Sequence, residues 1–164
     1  MKRSFKLALL VFTLLYSLAV ADVRWHNNAH GVSFSPPAGW NSSSPTDEEE
    51  LALWESPDLA AEVSISVTDC ERGPQEMDQF LKELATSCCG DGGRLVESRK
   101  FQMGERELGV VVIEAEQSGY EMISHTAVIL AHGKVYYFMG LCQADAYRDL
   151  KKVMESASRT LVVE

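Results

Sequence analysis

Apolar residues change their spacing at definite points along the chain, and those changes divide it into strands and helices. Gly31-Val32-Ser33-Phe34-Ser35 alternates apolar and polar positions like a half-buried strand, and Pro36-Pro37-Ala38-Gly39-Trp40 stops it. Residues 41–50 hold serines, a proline and the run Asp47-Glu48-Glu49-Glu50; nothing there can build a core, so a solvated surface loop is expected. Leu51 and Leu53, then Val63, Ile65 and Val67, again recur every second residue. Ser56-Pro57-Asp58 between them is turn chemistry, so two consecutive strands are expected over 51–69.

The period then lengthens. Met77, Phe80, Leu81, Leu84 and Cys88 fall on one helical stripe, opened by Gly73-Pro74 and closed by Gly90-Asp91-Gly92-Gly93. This spacing predicts Cys88 on the buried face, with Cys89 turned about 100° away. From Leu95 to Cys142 the pattern is an antiparallel meander of four strands, divided by Gly104-Glu105, Ser118-Gly119 and His132-Gly133. The runs Val110-Val111-Val112-Ile113 and Ala127-Val128-Ile129-Leu130 are apolar enough for central strands. A second amphipathic helix is expected over 144–158, with Tyr147, Leu150, Val153, Met154 and Ala157 as its stripe and Asp145 at the positive end of its dipole. Two or three strands, a helix, four antiparallel strands and a helix make an α+β fold: an antiparallel sheet with two amphipathic helices packed on it, since a helix buries its stripe only by lying on the sheet.

The amino-terminal segment follows another rule. Lys2, Arg3 and Lys6 precede an apolar stretch from Leu7 to Val20, and Ala19-Val20-Ala21 stands before Asp22, the layout of a cleavable secretory signal over residues 1–21. A stretch of about 14 apolar residues falls short of the roughly 20 that a membrane span needs. No cysteine stands at the cleavage point to take a lipid. Residues 22–164 are then expected to form a single exported domain, periplasmic or secreted, with no integral membrane span in the mature form.

Charge narrows the partners. The 164 residues carry a formal charge of −9, and loss of the leader leaves twelve basic against 24 acidic residues, or −12. Nucleic acid is excluded as a partner because phosphates are neutralised by clustered Lys and Arg, and an anionic membrane surface would repel this domain as well. A charge-steered partner would be basic or a cation. The acidity also serves solubility by itself.

Four cysteines, Cys70, Cys88, Cys89 and Cys142, would meet an oxidising compartment and are disulfide candidates, with three complete pairings open. Bridging the adjacent Cys88 and Cys89 would close a strained ring, so a bond from one of them to Cys70 or Cys142 is expected. Adjacent thiols are also soft-metal ligands, for Cu(I) or mercury, but the chain has no Cys-x-x-Cys.

Catalytic patterns are missing from the sequence. It contains neither Gly-x-Ser-x-Gly nor His-Glu-x-x-His, and Gly90–Gly93 follows a helix instead of opening one, which is no phosphate loop. His26 and His30 are four apart but lead into a strand, where that spacing gives no shared face. His125 and His132 are expected on or at the end of strands. Glu114 and Glu116 read as a solvated face. Trp25, Trp40 and Trp54 are candidates for lining a recognition groove, with core packing of Trp40 the simpler role. Asn41-Ser42-Ser43 is a glycosylation acceptor if the host is a eukaryote.

The segment from Gly31 to Trp40 is similar to the strand followed by Pro-x-Gly-Trp near the start of many PsbP-like domains, and the element order and the closing helix through Ser158-Arg159-Thr160-Leu161 agree. That group includes extrinsic photosystem subunits, DcrB-like bacterial envelope proteins and a eukaryotic Ran-binding relative. The resemblance implies a PsbP-like sandwich and a binding or assembly role with no shared catalytic centre; separately, no cofactor is expected. The expectation is therefore an exported, non-catalytic binding domain for a protein partner, with Trp40, Asp47, Glu48, Glu49, Glu50 and Trp54 as the contact surface. The alternative is a small-ligand or soft-metal carrier using the space between sheet and helix, or Cys88 and Cys89.

Overall fold

Strand pairing decides the architecture. Among the described residues, ten strands and two helices run in the order β1 (Trp25–Asn27), β2 (Val32–Phe34), β3 (Asn41–Ser43), β4 (Glu50–Glu55), β5 (Ala61–Asp69), α1 (Met77–Gly90), β6 (Arg94–Met103), β7 (Arg106–Gln117), β8 (Tyr120–Ala131), β9 (Lys134–Gln143), α2 (Ala144–Arg159) and β10 (Val162–Val163). This computed structural model describes residues 23–164 apart from Asp47, Leu59 and Asp91. The leader expected over 1–21 lies outside the described residues.

Strands β3-β4-β5-β9-β8-β7-β6 form one antiparallel sheet of seven, and β1-β2-β10 form a second sheet of three. The meander from β6 to β9 is continuous because its turns suit it. Ser118-Gly119 has φ of 55° and 84°, and His132-Gly133 has φ of 55° and 71°. Two successive left-handed residues give the tight turn whose twist matches the strands it joins.

Alternation along the central strands sends side chains to two faces. On one face Leu108, Val110 and Val112 of β7, Ile123, Ala127 and Ile129 of β8, and Phe138 and Cys142 of β9 pack with Met154 and Ala157 of α2, with Leu161 just after it, and with Val32, Phe34 and Val163 of the small sheet. On the other, Val111, Ile113, Val128, Leu130 and Val135 meet Met77, Leu81 and Ala85 of α1. Each fully buried side chain of this size contributes about 1.5–3 kcal/mol over its exposed state. Close contact with α1 depends on Gly109: a Cβ there would stand 2.7 Å from Met77 Sδ and 2.8 Å from a Leu81 methyl.

The α+β class, the meander and both helices stand where the periodicity put them. Three strands were not foreseen. Residues 41–43 were expected in a loop, yet β3 pairs with β4 through Asn41↔Glu55, Ser42↔Trp54 and Ser43↔Leu53. Its pairing rests on the backbone ladder, to which side-chain alternation is irrelevant. β1 and β10 flank β2, with Trp25↔Phe34 and Val162↔Ser33 in register.

Candidate functional site

The surface expected around residues 40–54 is not continuous. Trp54 is buried at 6% exposure, because β4 alternation turns it inward with Ala52. There it meets Trp25 and Phe34 edge-to-face, with ring centroids 5.8 Å and 4.9 Å away. Trp40 is half-buried and packs on the same core. Glu48 and Glu49 are exposed and Glu50 begins β4, while Asp47 lies outside the described residues. Trp54 is therefore a core residue, and the contact surface as first drawn needs correction.

The cysteines also differ from expectation. Among the described residues no disulfide joins any two of the four. Cys88 is exposed and Cys89 is the half-buried one packed on the α1 side of the core. The reason is helical phase: the buried line runs Met77, Leu81, Ala85 in steps of four, and its continuation is Cys89. Cys142 is buried on the α2 face, across the sheet from the cluster that Cys70 and Cys89 border. Burial, reinforced by Asp145, pushes its thiol up to about 11.

A different surface comes from what α1 leaves open. Val135 and Tyr137 of β9 belong to the cluster under α1, so two and four residues on, Met139 and Leu141 share that face. Met139 is 41% exposed. Beside Leu141 in the ladder stand Glu62 of β5 and Ser124 of β8, and Glu62 in turn pairs with Glu55 of β4. A shallow pocket of about 120 Å³ lies here, lined by Glu55, Ala60, Ala61, Glu62, Met122 and Leu141. The Glu62 carboxyl is raised, first by partial burial and then by the negative charges of Glu50 and Glu55. Ser43 Oγ donates a hydrogen bond to Glu55. The result is an apolar floor of Met122, Met139 and Leu141 with a carboxylate rim.

On the opposite face a polar cluster sits between β6, β8 and α2. His125 of β8 is fully buried. Its Nδ1 shares a 3.3 Å hydrogen bond with Tyr147 OH, and its Nε2 has no hydrogen-bond partner among the described residues. Above it Arg99 of β6 pairs with Glu97 at 2.8 Å and with Glu155 of α2, and Lys151 of α2 reaches Glu97 at 3.0 Å. These ion pairs fasten α2 to β6. Burial pushes the His125 imidazole down to about 4, and Tyr147 up to about 12. The sequence offered a signal for this cluster in one respect only: His125 occupies an inward phase of an otherwise apolar strand. The partners carry no local mark: Tyr147 lies 22 residues from His125, and Glu155 lies 56 from Arg99.

Larger grooves lie elsewhere among the described residues. One of about 430 Å³ lies between α1 and β6, among Asp78, Leu81, Lys82, Leu95 and Lys100. Another, about 410 Å³, lies between Pro36-Pro37-Ala38 and α2 residues Lys152, Val153 and Ser156. Among the described residues no group of three or more His, Cys, Asp or Glu is placed to hold a metal ion. None of the described helices is long and apolar enough to cross a membrane.

No protein-family model matches the chain, and no curated protein sequence matches it either. Solved structures do. The PsbP protein CyanoP of Synechocystis sp. PCC 6803 superposes with a TM-score of 0.65 at 12% identity, covering 90% of this chain and 95% of that one. PA94 of Pseudomonas aeruginosa gives 0.57 at 12% identity over 87% and 96%. LpqN of Mycobacterium tuberculosis, described as involved in cell envelope biogenesis, gives 0.54 at 12% identity over 86% and 89%. At such identities the likeness extends to the course of the backbone and no further. With its antiparallel sheets of seven and three strands and a helix on each face of the larger one, the chain has the PsbP-like α+β fold.

Proposed function

We propose that this protein is an exported, non-catalytic binding or assembly domain that docks a protein partner on the open face beside α1. One observation carries the reading. Met122, Met139 and Leu141 form an apolar floor that α1 does not cover, and Glu55 and Glu62 border it. An apolar floor with a polar rim is the usual anatomy of an interaction surface. The crowding of Glu62 by Glu50 and Glu55 favours a partner that brings basic residues around an apolar tip. Export is supported by the leader pattern in the sequence, and by likeness to a protein involved in cell envelope biogenesis. The non-catalytic reading draws on the sealed position of His125, which no substrate reaches while α2 is seated.

Site-specific photocrosslinking tests this. A photoreactive residue at Met139 is expected to give a discrete protein adduct in the native envelope, while the same probe at Lys152, on the α2 side, gives none. Reversing the rim charges with Glu55→Lys and Glu62→Lys is expected to abolish the Met139 adduct. An adduct from Lys152 alone, or one from Met139 that ignores charge reversal, would refute the assignment.

A further inference from the structure

We infer that α2 is an acid-released cover: protonation of His125 unseats the helix from the sheet and opens the face that bears Ile123, Phe138 and Cys142. The argument starts from the hydrogen-bond inventory. A charged imidazole has two N–H donors, and this one has a single acceptor in reach, the Tyr147 hydroxyl. Its ladder neighbours are Val112 on β7 and Gly140 on β9, neither of which offers a polar side chain.

The titratable and charged groups facing His125 come from three elements. β6 brings Glu97 and Arg99, α2 brings Tyr147, Lys151 and Glu155, and β9 brings the neutral Cys142 thiol. Both carboxylates are committed to Arg99 and Lys151. Burial alone would raise Glu155, but the hydrogen bond and charge of Arg99, with Lys151, hold it below the ordinary carboxylate range. It therefore stays ionised over the pH range in which an exposed imidazole charges, so acid acts on the seating of α2 through His125 and not through loss of these carboxylate charges.

Buried, the ring is held near 4 against an ordinary value of 6.5. The unseated helix leaves His125 in water, where it takes up a proton more readily. A depressed value means that the seated state loses ground as pH falls from about 6.5 toward about 4. Between pH 7.5 and pH 5 the unseated population is expected to rise about 30-fold.

Hydrogen exchange of the whole protein at those two pH values, corrected for the intrinsic pH dependence of exchange, measures this directly. The opening of residues 144–159 should rise about 30-fold while that of 77–90 changes little. His125→Leu is expected to remove the rise, and Glu155→Gln to leave it in place. If the two helices open in parallel, or if Glu155→Gln removes the rise while His125→Leu retains it, the inference fails. Should His125→Leu not fold, nuclear magnetic resonance titration of the wild-type ring decides. A ring that titrates near 6.5 while 144–159 stays protected would overturn the proposal, and one that titrates well below it while 144–159 opens would support it.

Discussion

Gly140 of β9 lies directly under Met154 of α2: a Cβ at position 140 would stand 2.9 Å from Met154 Sδ and 3.2 Å from its Cγ. Met154 is fully buried, so its thioether has nowhere to retreat. Gly140→Ala is expected to lift α2 and cost about 1–3 kcal/mol. A lowered urea midpoint at unchanged m-value would show it; unchanged stability would mean that the helix sits more loosely than the contact implies.

Glu62 faces Glu55 across the β4–β5 ladder. Because its carboxyl is raised by burial and by like charge, the folded state holds the proton more tightly than the unfolded chain. That contribution is present below the ordinary carboxylate range and is lost as pH rises through the raised value. Glu62→Gln should thus stabilise the protein by about 0.5 kcal/mol at pH 7, with the gain fading on acidification toward pH 4. Thermal unfolding at both pH values reads the difference.

Trp54 belongs to the aromatic group of Trp25, Phe34 and Phe138. Trp54→Ala is expected to cost about 3–5 kcal/mol through the cavity it leaves. The half-buried Trp40 has less to lose, so Trp40→Ala should cost less. Equal, small effects in chemical denaturation would return Trp54 to the surface.

The thiols should separate by position. Under native conditions at neutral pH, Cys88 is expected to alkylate readily, and Cys142 only after unfolding, since it is buried with its thiol held near 11. Peptide mapping after timed labelling gives the order. Rapid native modification of Cys142 would mean that α2 does not cover it.

Much of the fold was legible because local rules and tertiary packing agree. The meander from β6 to β9 shows in its turn residues, and α1 and α2 show in stripes of period 3.6. β3 was not legible: Asn41-Ser42-Ser43 has no apolar alternation, and its pairing with β4 comes from the backbone alone. The reversal of Cys88 and Cys89 has a simpler cause. A stripe with residues at both three and four steps leaves two continuations open, and contact with Val111 and Ile113 selects the line through Ala85.

The sequence by itself determined the α+β class, the order of the main elements and the acidic character of the chain, because period, turn chemistry and formal charge are properties of neighbouring residues. Only the tertiary structure decided which groups meet. Glu62 beside Leu141, and His125 beneath Tyr147 and the Glu97–Arg99–Glu155 pairs, are joined by strand register and helix seating. Contacts between residues distant in the chain are set by the order of strands in the sheet, which no local pattern encodes.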